Sequence, residues 1–426
     1  MRTDGATVIG GVAATDLAAA YDTPLLALDT DVLDANLERF ARAGARTGID
    51  VCYAGKALLF VELARRIAAT PLGIDVCSLG ELLTAERAEV AAERLVLHGC
   101  GKTDAELQAA ASGRVGRVVV DSATELERLA AFASRTRPVR ILLRVNTGIA
   151  VRTHAYVRTG GEDSKFGFAL ETIDAAIAAA LDSPGLRPVG VHSHLGSQIF
   201  EPEPFAASAD IVMAVYERMA QAGAPAEEIV LGGGFGVDAR PGGERIDLEA
   251  TLETVARAAR DGAQARGLQR PRVGIEPGRA IVADAGTSLY RVVAVKRHGS
   301  RRFAIVDGGI ADNPRPALYG AYHHPRLANR DGSADEDEFT VCGRSCENDR
   351  LVVARLPQDL VAGDLLALET TGAYTYSMAS NYNRFPKPAV AFAGAGRHRL
   401  VVRRERDDDL LRNDVDGSSD VPGKLY

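Results

Sequence analysis

The sequence predicts an α/β fold in which a (β/α)8 barrel is joined to a second, all-β domain built as a sandwich or barrel. With 426 residues, the chain exceeds the size at which one hydrophobic core stops growing. Strand-like runs alternate with helical patterns eight times, over the roughly 230 residues expected of such a barrel. After Arg279, helical patterns become rare and short strand-like runs follow one another.

Each of the eight predicted barrel strands is rich in β-branched residues and ends in a turn with Gly, Asp or Ser. These runs are "DVCYAG", "GIDVCS", "RLVLHG", "RVVVDS", "RILLRVN", "VGVHSHLGS", "EIVLGGG" and "RVGIEPG". Ala-rich segments with helical spacing, such as "LFVELARRIAA" and "SATELERLAAFAS", lie between them. Because alternation alone does not prove closure, a doubly wound open sheet remains the alternative.

The second domain is predicted from runs such as "SLYRVVAVKR", "EFTVCG" and "AVAFAG". The early run "LLALD", residues 25–29, precedes the eight strands, and we expect it to join this domain. The expected boundaries are therefore 31–281 for the barrel and 1–30 with 282–426 for the β domain. The long connection at 146–168 is expected to be functional, because loops of that length in compact domains usually are.

Composition excludes several classes of protein. The net charge of -7 and the pI near 5.7 argue against a nucleic-acid partner, which requires clustered positive charge. No apolar run reaches the length of a membrane span and no signal peptide is visible, so we expect a cytoplasmic protein without a membrane partner. Five scattered cysteines fit neither a disulfide framework nor a zinc site, so no metal is expected.

Polar residues and glycines stand at the end of every predicted barrel strand, where chemistry collects in this fold. They are Lys56, Asp75 with Ser78, His98, Asp121, Arg144 with Asn146, His192 with His194, 232–234, and Glu276 with Arg279. Taken singly, each has a simpler explanation, such as a lysine that snorkels or glycines that make a tight turn. Together they offer an amine, an imidazole, an anion cradle and an acid, the set needed to hold an aromatic aldehyde phosphate.

Six motifs in order carry a resemblance to a known family: "YAGKA", "HSHLGSQ", "GGGFG", "EPGR", "SCEN" and "GAYTYSMASNYN". From about Leu25 to Leu411 the chain resembles the fold-type III, alanine-racemase-like decarboxylases that use pyridoxal 5'-phosphate. The resemblance implies a carboxy-lyase in which Lys56 forms a Schiff base with the cofactor and Glu276 binds its ring nitrogen. His194 would stack on the ring, and the further cofactor contacts implied are Asp75, Ser197, Gly234, Gly278, Arg279 and Tyr374.

The same resemblance implies a reaction and an assembly. The reaction is decarboxylation of meso-diaminopimelate to L-lysine and carbon dioxide, with Cys346 as proton donor. The residues expected to contact the substrate are Arg279, Arg315, Tyr319, Glu347 and Tyr374. In this family the loop with Cys346 and Glu347 reaches into the barrel of a partner, so we expect a homodimer with shared active sites.

Alternatives remain open at the level of sequence. The stretch "CENDR" is one residue shorter than is usual in the family, and Arg344 stands where many members have proline. The substrate could therefore be another diamino or amino acid, D-configured or bound to a carrier. The chain could also be a catalytically inactive homologue or a cofactor-carrying protein without turnover. Cys346 could be a small core residue and Arg315 a surface arginine before a proline turn.

Overall fold

The computed structural model describes residues 2–3, 6–149 and 164–415 of the chain. Most of the long connection expected to be functional, residues 150–163, lies outside this part. The strands are, in chain order, β1 (Arg2–Thr3), β2 (Ala6–Ile9), β3 (Val12–Ala13), β4 (Leu25–Asp29), β5 (Ile49–Ala54), β6 (Gly73–Val76), β7 (Leu95–Leu97), β8 (Arg117–Val120), β9 (Val139–Arg144), β10 (Leu186–His192), β11 (Glu228–Val230), β12 (Arg272–Ile275), β13 (Gly286–His298), β14 (Arg301–Val306), β15 (Pro325–Leu327), β16 (Glu336–Cys342), β17 (Arg350–Pro357), β18 (Leu365–Leu368), β19 (Ala389–Gly394) and β20 (Arg397–Val402).

The helices are, in the same order, α1 (Ala14–Tyr21), α2 (Thr30–Thr47), α3 (Val61–Ala68), α4 (Leu79–Arg87), α5 (Asp104–Ala111), α6 (Ala123–Phe132), α7 (Ile173–Leu181), α8 (Glu203–Gln221), α9 (Leu248–Ala265), α10 (Arg279–Val282), α11 (Arg315–Tyr319) and α12 (Asp407–Leu411). None of these described helices has the length and apolar character needed to cross a membrane.

Strands β5 to β12 form a closed, parallel eight-stranded barrel, and a helix follows each of them. The ring closes where β12 pairs with β5, with Val273 opposite Ile49. This closure confirms the predicted (β/α)8 barrel and excludes the open sheet. Val96, Val119 and Leu142, from three neighbouring barrel strands, belong to one buried hydrophobic cluster.

Several polar residues just after barrel strands begin the following helices. Ser78 and Ser122 are the N-caps of α4 and α6, where their hydroxyls accept hydrogen bonds from the backbone amides of Glu81 and Glu125. Such a cap satisfies a donor that the first helical turn leaves unpaired. Ser78, which the sequence places among the residues of the active face, therefore has a structural role at the start of α4.

A second domain of β-sheet confirms the other half of the predicted fold. Its strands run in the order β17-β16-β14-β13-β4-β19-β20, while β18 pairs with β13 and β15. The early run "LLALD" is β4, and it lies between β13 and β19. Tyr290, Phe339 and Leu366 are fully buried in one core cluster of this domain.

The described residues form two compact units. The β-sheet unit contains the chain up to Leu28, Thr287–Leu368 and the chain from Met378. The barrel unit contains Asp29–Gly286 and, in addition, Glu369–Ser377. A nine-residue stretch from the C-terminal part of the chain thus belongs to the barrel unit.

Candidate active site

Lys56 lies in a single 3-10 turn, Gly55–Ala57, directly after β5. The backbone around it is buried, while its side chain is exposed to solvent. Enough protein surrounds the ammonium group that desolvation lowers its pKa, but Tyr374, Cys77 and Glu276 oppose this, and the net pKa lies above the ordinary value. A lysine ammonium group therefore projects from a buried backbone into an accessible space.

Four polar side chains from four barrel strands converge near this lysine. Glu276, after β12, is approached by His98 Nε2 at 3.1 Å from Oε1 and by His192 Nε2 at 3.0 Å from Oε2. Asp75 Oδ1, from β6, lies 3.6 Å from the same His98 nitrogen. The two imidazole rings pack edge to face, with centroids 5.1 Å apart. All four side chains are buried.

The charges in this group follow from burial and from mutual contact. Burial lowers the pKa of His98, but Glu276 and Asp75 together raise it to about 9. Burial lowers the pKa of His192 to about 4 although Glu276 opposes the change. Burial raises the pKa of Glu276, yet His98 and His192 outweigh it and hold that pKa well below the ordinary value. At neutral pH the group therefore contains a Glu276 carboxylate, a protonated His98 and a neutral His192.

The ligating atoms of His98, His192 and Glu276 lie within 4.8 Å of one another, a spacing that could also hold a metal ion. A metal requires both imidazoles to be neutral, because only a free nitrogen lone pair can bind it. With no metal bound, the two carboxylates that flank His98 favour its protonated form, so a metal ion would have to displace that proton. Within the described group His192 makes a hydrogen bond to Glu276, whereas His98 Nε2 makes charge contacts with Glu276 and Asp75.

A glycine-rich cradle lies beside this group, at the ends of β10, β11 and β12. A Cβ on Gly233 would lie 2.1 Å from the carbonyl oxygen of Glu276, and one on Gly234 would lie 2.6 Å from that of Gly196. Gly234 also has a φ of +109°, which L side chains rarely adopt. The backbone can form this narrow concave surface only without side chains at these positions.

Arg279 supplies the positive charge of the cradle. Its Nη2 donates to Ser197 Oγ at 3.1 Å, and its guanidinium lies 4.8 Å from the ring centroid of Tyr374. Its Nε is buried and has no hydrogen-bond partner among the described residues. Tyr374 is held in place by its backbone amide, which donates to the carbonyl of Ala57 at 2.8 Å. The arrangement suits an oxyanion, which would accept hydrogen bonds from these donors.

His194 has one defined tautomer. Its Nδ1 accepts a hydrogen bond from the backbone amide of Gly233 at 3.1 Å, so the proton of the neutral ring is on Nε2. Burial lowers the pKa of His194 well below its ordinary value. The ring is therefore an uncharged, oriented surface beside the amine and the cradle.

The structure brings nine of the sequence-predicted residues into the barrel unit, and the other four belong to the β-sheet unit. The nine are Lys56, Asp75, His194, Ser197, Gly234, Glu276, Gly278, Arg279 and Tyr374. The four are Arg315, Tyr319, Cys346 and Glu347.

In the β-sheet unit, Arg315 is 7% exposed at the start of α11, and its guanidinium lies 4.8 Å from the ring centroid of Tyr319. The alternative of a surface arginine is therefore wrong. Cys346 is exposed, so the alternative of a core cysteine is wrong as well. Its amide donates to Asn383 Oδ1 at 3.1 Å, and the hydroxyl of Tyr382 donates to Glu347 Oε1.

The shortened "CENDR" stretch is anchored from within the β-sheet unit. Asp349 is 2% exposed and its Oδ2 accepts from Ser345 Oγ at 2.8 Å and from the amide of Ile310 at 3.2 Å. The guanidinium of Arg344 lies 4.3 Å from the ring centroid of Phe385. Asp349 thus fixes one end of the stretch while Cys346 stays accessible.

Sequence reasoning left some residues of the site without a role. His98 and His192 stood at strand ends, but their convergence on Glu276 had no local signal. Glu81 was missed: its carboxylate accepts from the amide of Cys77 at 2.6 Å, and burial raises its pKa. A glutamate in the first turn of an amphipathic helix looks like an ordinary surface residue, so only the fold could reveal it.

Comparison with known proteins identifies relatives along the whole chain. Residues 32–283 match the family model described as "Pyridoxal-dependent decarboxylase, pyridoxal binding domain". A diaminopimelate decarboxylase from Actinosynnema pretiosum subsp. auranticum is 44% identical over 415 residues, covering 96% of this chain and 93% of the relative. One from Bacillus subtilis is 38% identical over 416 residues, covering 96% and 94%.

Solved structures agree with these relatives. A diaminopimelate decarboxylase from Helicobacter pylori, complexed with L-lysine, superimposes with a TM-score of 0.86 at 31% identity, covering 93% of this chain and 98% of the other. One from M. jannaschii, also in complex with L-lysine, gives a TM-score of 0.90 at 29% identity, covering 97% of each chain.

Proposed function

The chain belongs to the family of pyridoxal-dependent decarboxylases, and from this premise we propose that it converts meso-diaminopimelate to L-lysine and carbon dioxide. The observation that carries the proposal is the near full-length similarity to diaminopimelate decarboxylases at 36–44% identity. The enzyme is a carboxy-lyase, and pyridoxal 5'-phosphate is its cofactor.

The residues of the barrel unit fit that cofactor. The Nε of Arg279, which is buried and has no hydrogen-bond partner in the described part of the chain, and the glycines beside it suit an anionic phosphate. In this assignment Ser197, Gly234, Gly278 and Tyr374 bind the phosphate, as the family resemblance implies. Gly278 packs closely against the turn that contains Lys56, because a Cβ on Gly278 would lie only 3.0 Å from the Cβ of Ala57.

The other end of the cofactor meets charged and aromatic groups. Lys56 holds the aldehyde carbon through its amine, and the neutral ring of His194 stacks on the cofactor ring. Glu276 holds a proton at the ring nitrogen, because its carboxylate favours the protonated form of a group beside it. When bound, the cofactor supplies a conjugated ring that accepts the electron pair left by the departing carboxylate.

Selection of the substrate is assigned to residues that can grip its second carboxylate. Arg315 and Arg279 offer guanidinium groups, which bind a carboxylate through two parallel hydrogen bonds. Tyr319 and Tyr374 offer hydroxyls, and Glu347 offers a partner for the distal ammonium. The contact of Arg315 with Tyr319 supports this assignment, because the guanidinium lies 4.8 Å from the ring centroid and both groups could act on one carboxylate.

The proton returned to the substrate carbon is assigned to Cys346, whose thiol is exposed in the β-sheet unit. We infer a homodimer in which the loop with Cys346 and Glu347 completes the barrel site of the partner. A two-fold interface repeats each contact, so both sites would be completed together. Five free cysteines favour a reducing compartment, and we infer a cytoplasmic location.

The proposal is tested with purified protein and two measurements. Borohydride should fix the cofactor to a peptide that contains Lys56, and recovery on Lys102 or Lys165 would refute the assignment. Carbon dioxide release should be measured from meso-diaminopimelate, lysine, ornithine and arginine. Preference for another amino acid would favour a related decarboxylase, and no release from any would favour an inactive or cofactor-carrying homologue.

A further inference from the structure

Asp75 and Glu276 are two buried carboxylic acids that lie beside the same imidazole, so their negative charges should repel each other. Asp75 is 3% exposed and Glu276 is 9% exposed, and both contact the same His98 nitrogen. Two carboxylates this close in a poorly solvated site cannot both ionise without a compensating charge. Burial and Glu276 raise the pKa of Asp75, and His98 opposes this. The ionisation of both acids therefore depends on what lies between them.

His98 is the group that lies between them. Its Nε2 is 3.1 Å from Glu276 Oε1 and 3.6 Å from Asp75 Oδ1. His192 contacts the other oxygen of Glu276 at 3.0 Å, and because a carboxylate only accepts, this imidazole must donate. Each oxygen of Glu276 thus meets a different imidazole: Oε2 accepts a hydrogen bond from His192, and Oε1 makes a charge contact with His98, whose Nε2 has no hydrogen-bond partner among the described residues.

We propose that His98 is a positioning residue: as an imidazolium shared by Asp75 and Glu276, it keeps both acids ionised and holds Glu276 in the orientation that binds the ring nitrogen. The last step rests on the proposed function, whereas the charge of His98 does not. His98 itself need not touch the cofactor or the substrate for this role.

Other charged or titratable groups lie around His98, Asp75 and Glu276 on the neighbouring elements. They are Lys56 and Cys52 from the β5 side, Glu81 from α4, Arg117 from β8, which pairs with Glu228, Arg144 from β9, and His192 from β10. Arg144 donates to Asp121 at 3.3 Å, so its charge is already paired. Lys56 lies near Tyr374, Cys77 and Glu276, and no ion pair joins it to Asp75 among the described residues. His98 then remains the cation in contact with both Asp75 and Glu276.

The first test uses the cofactor-free full chain and nitrogen-15 NMR of labelled histidines, assigned with His98→Gln and His192→Gln. We expect His98 to stay protonated up to about pH 9 and His192 to stay neutral down to about pH 4. The contribution of His98 to the free energy of unfolding is then full below pH 6.5 and is lost as the pH rises through about 9. A wild-type His98 that is already neutral at pH 7 would overturn the proposal, whether or not any variant folds.

The second test uses holoenzyme loaded with pyridoxal phosphate labelled with nitrogen-15 in the ring. In His98→Gln one of the two carboxylates should take up a proton, so the ring-nitrogen signal should shift toward that of an unprotonated pyridine. The value of kcat should fall by about tenfold to a hundredfold with little change in KM, because the pKa of the ring nitrogen would fall by about one to two units. His192→Gln, which removes no charge and keeps a side-chain N–H donor for Glu276, should leave the ring-nitrogen signal in place.

The double variant Asp75→Asn with His98→Gln separates charge from structure. If His98 compensates the charge of Asp75, removing both should return the ring-nitrogen signal toward the wild-type position, relative to His98→Gln alone. The inference would be overturned if the two substitutions shifted the ring-nitrogen signal additively. It would also be overturned if folded His98→Gln gave the wild-type ring-nitrogen signal. Failure of the wild-type protein to bind the cofactor or release carbon dioxide would instead refute the proposed function, while the first test would still decide the charge of His98.

Discussion

Lys102 offers a sharp test of how this barrel is stabilised. Its side chain is 1% exposed, and its ammonium donates to Glu125 Oε1 at 2.7 Å. It also donates to the carbonyls of Val119 at 2.7 Å and Gly99 at 2.8 Å. These three bonds use all the donors of an ammonium group. Lys102 therefore ties the segment after β7 to β8 and α6.

Replacement of Lys102 by methionine keeps most of the volume but removes the charge. Glu125, with a side chain that is 3% exposed, then loses its ionic partner. Removing one member of a buried pair typically costs about 3–5 kcal/mol, because the other is left uncompensated. We expect the free energy of unfolding to fall by about that amount. A change of Arg46 to methionine, which breaks an exposed pair with Glu253, should cost about 0–1 kcal/mol.

The assay is urea denaturation of each full-length variant at neutral pH, followed by circular dichroism. Lys102→Met combined with Glu125→Leu should recover part of the loss, because an apolar pair of similar volume leaves no buried charge, although the carbonyls of Val119 and Gly99 still lack the ammonium donor. A loss below about 1 kcal/mol in Lys102→Met, within the range of exposed pairs, would refute the reasoning. So would a double variant as unstable as the single one.

Three further outcomes are expected. Gly233→Ala places a Cβ 2.1 Å from a backbone oxygen, so the affinity for the cofactor, measured by absorbance titration, should fall at least about tenfold, which corresponds to about 1.4 kcal/mol. The control Gly101→Ala, whose Cβ would have no atom within 4 Å, should leave the affinity unchanged. When inactive Lys56→Ala and Cys346→Ala chains are mixed, the mixture should regain roughly one quarter of wild-type activity. If the two chains exchange subunits and the mixture stays inactive, the active site is not shared. Arg315→Ala should lower kcat/KM for meso-diaminopimelate at least about thirtyfold without changing cofactor absorbance, and unaltered kinetics would exclude its proposed role.

Much of the fold could be predicted from local patterns. Short β-branched runs with Ala-rich helical segments between them predicted all eight barrel strands. The loss of helical patterns after Arg279 predicted the β-sheet domain. These signals are local because each strand and helix must bury one face, which fixes the period of its apolar residues. The motif around Lys56 predicted the amine at a strand end, and the structure places it in a turn directly after β5. The domain boundaries and the roles of the site residues stay predictions.

Other features depend on which chain segments meet in space. Lys56 and Lys102 both follow barrel strands, but only the fold shows that the first is exposed and the second pairs with Glu125. Tyr374 belongs to the barrel unit because the segment Glu369–Ser377 is part of that unit. No local sequence pattern predicts this. Asp75, His98 and Glu276 are far apart in sequence, and closure of the barrel brings them into contact. Their charges follow from that contact and from burial, so the sequence determined which groups are present and the tertiary structure decided their ionisation.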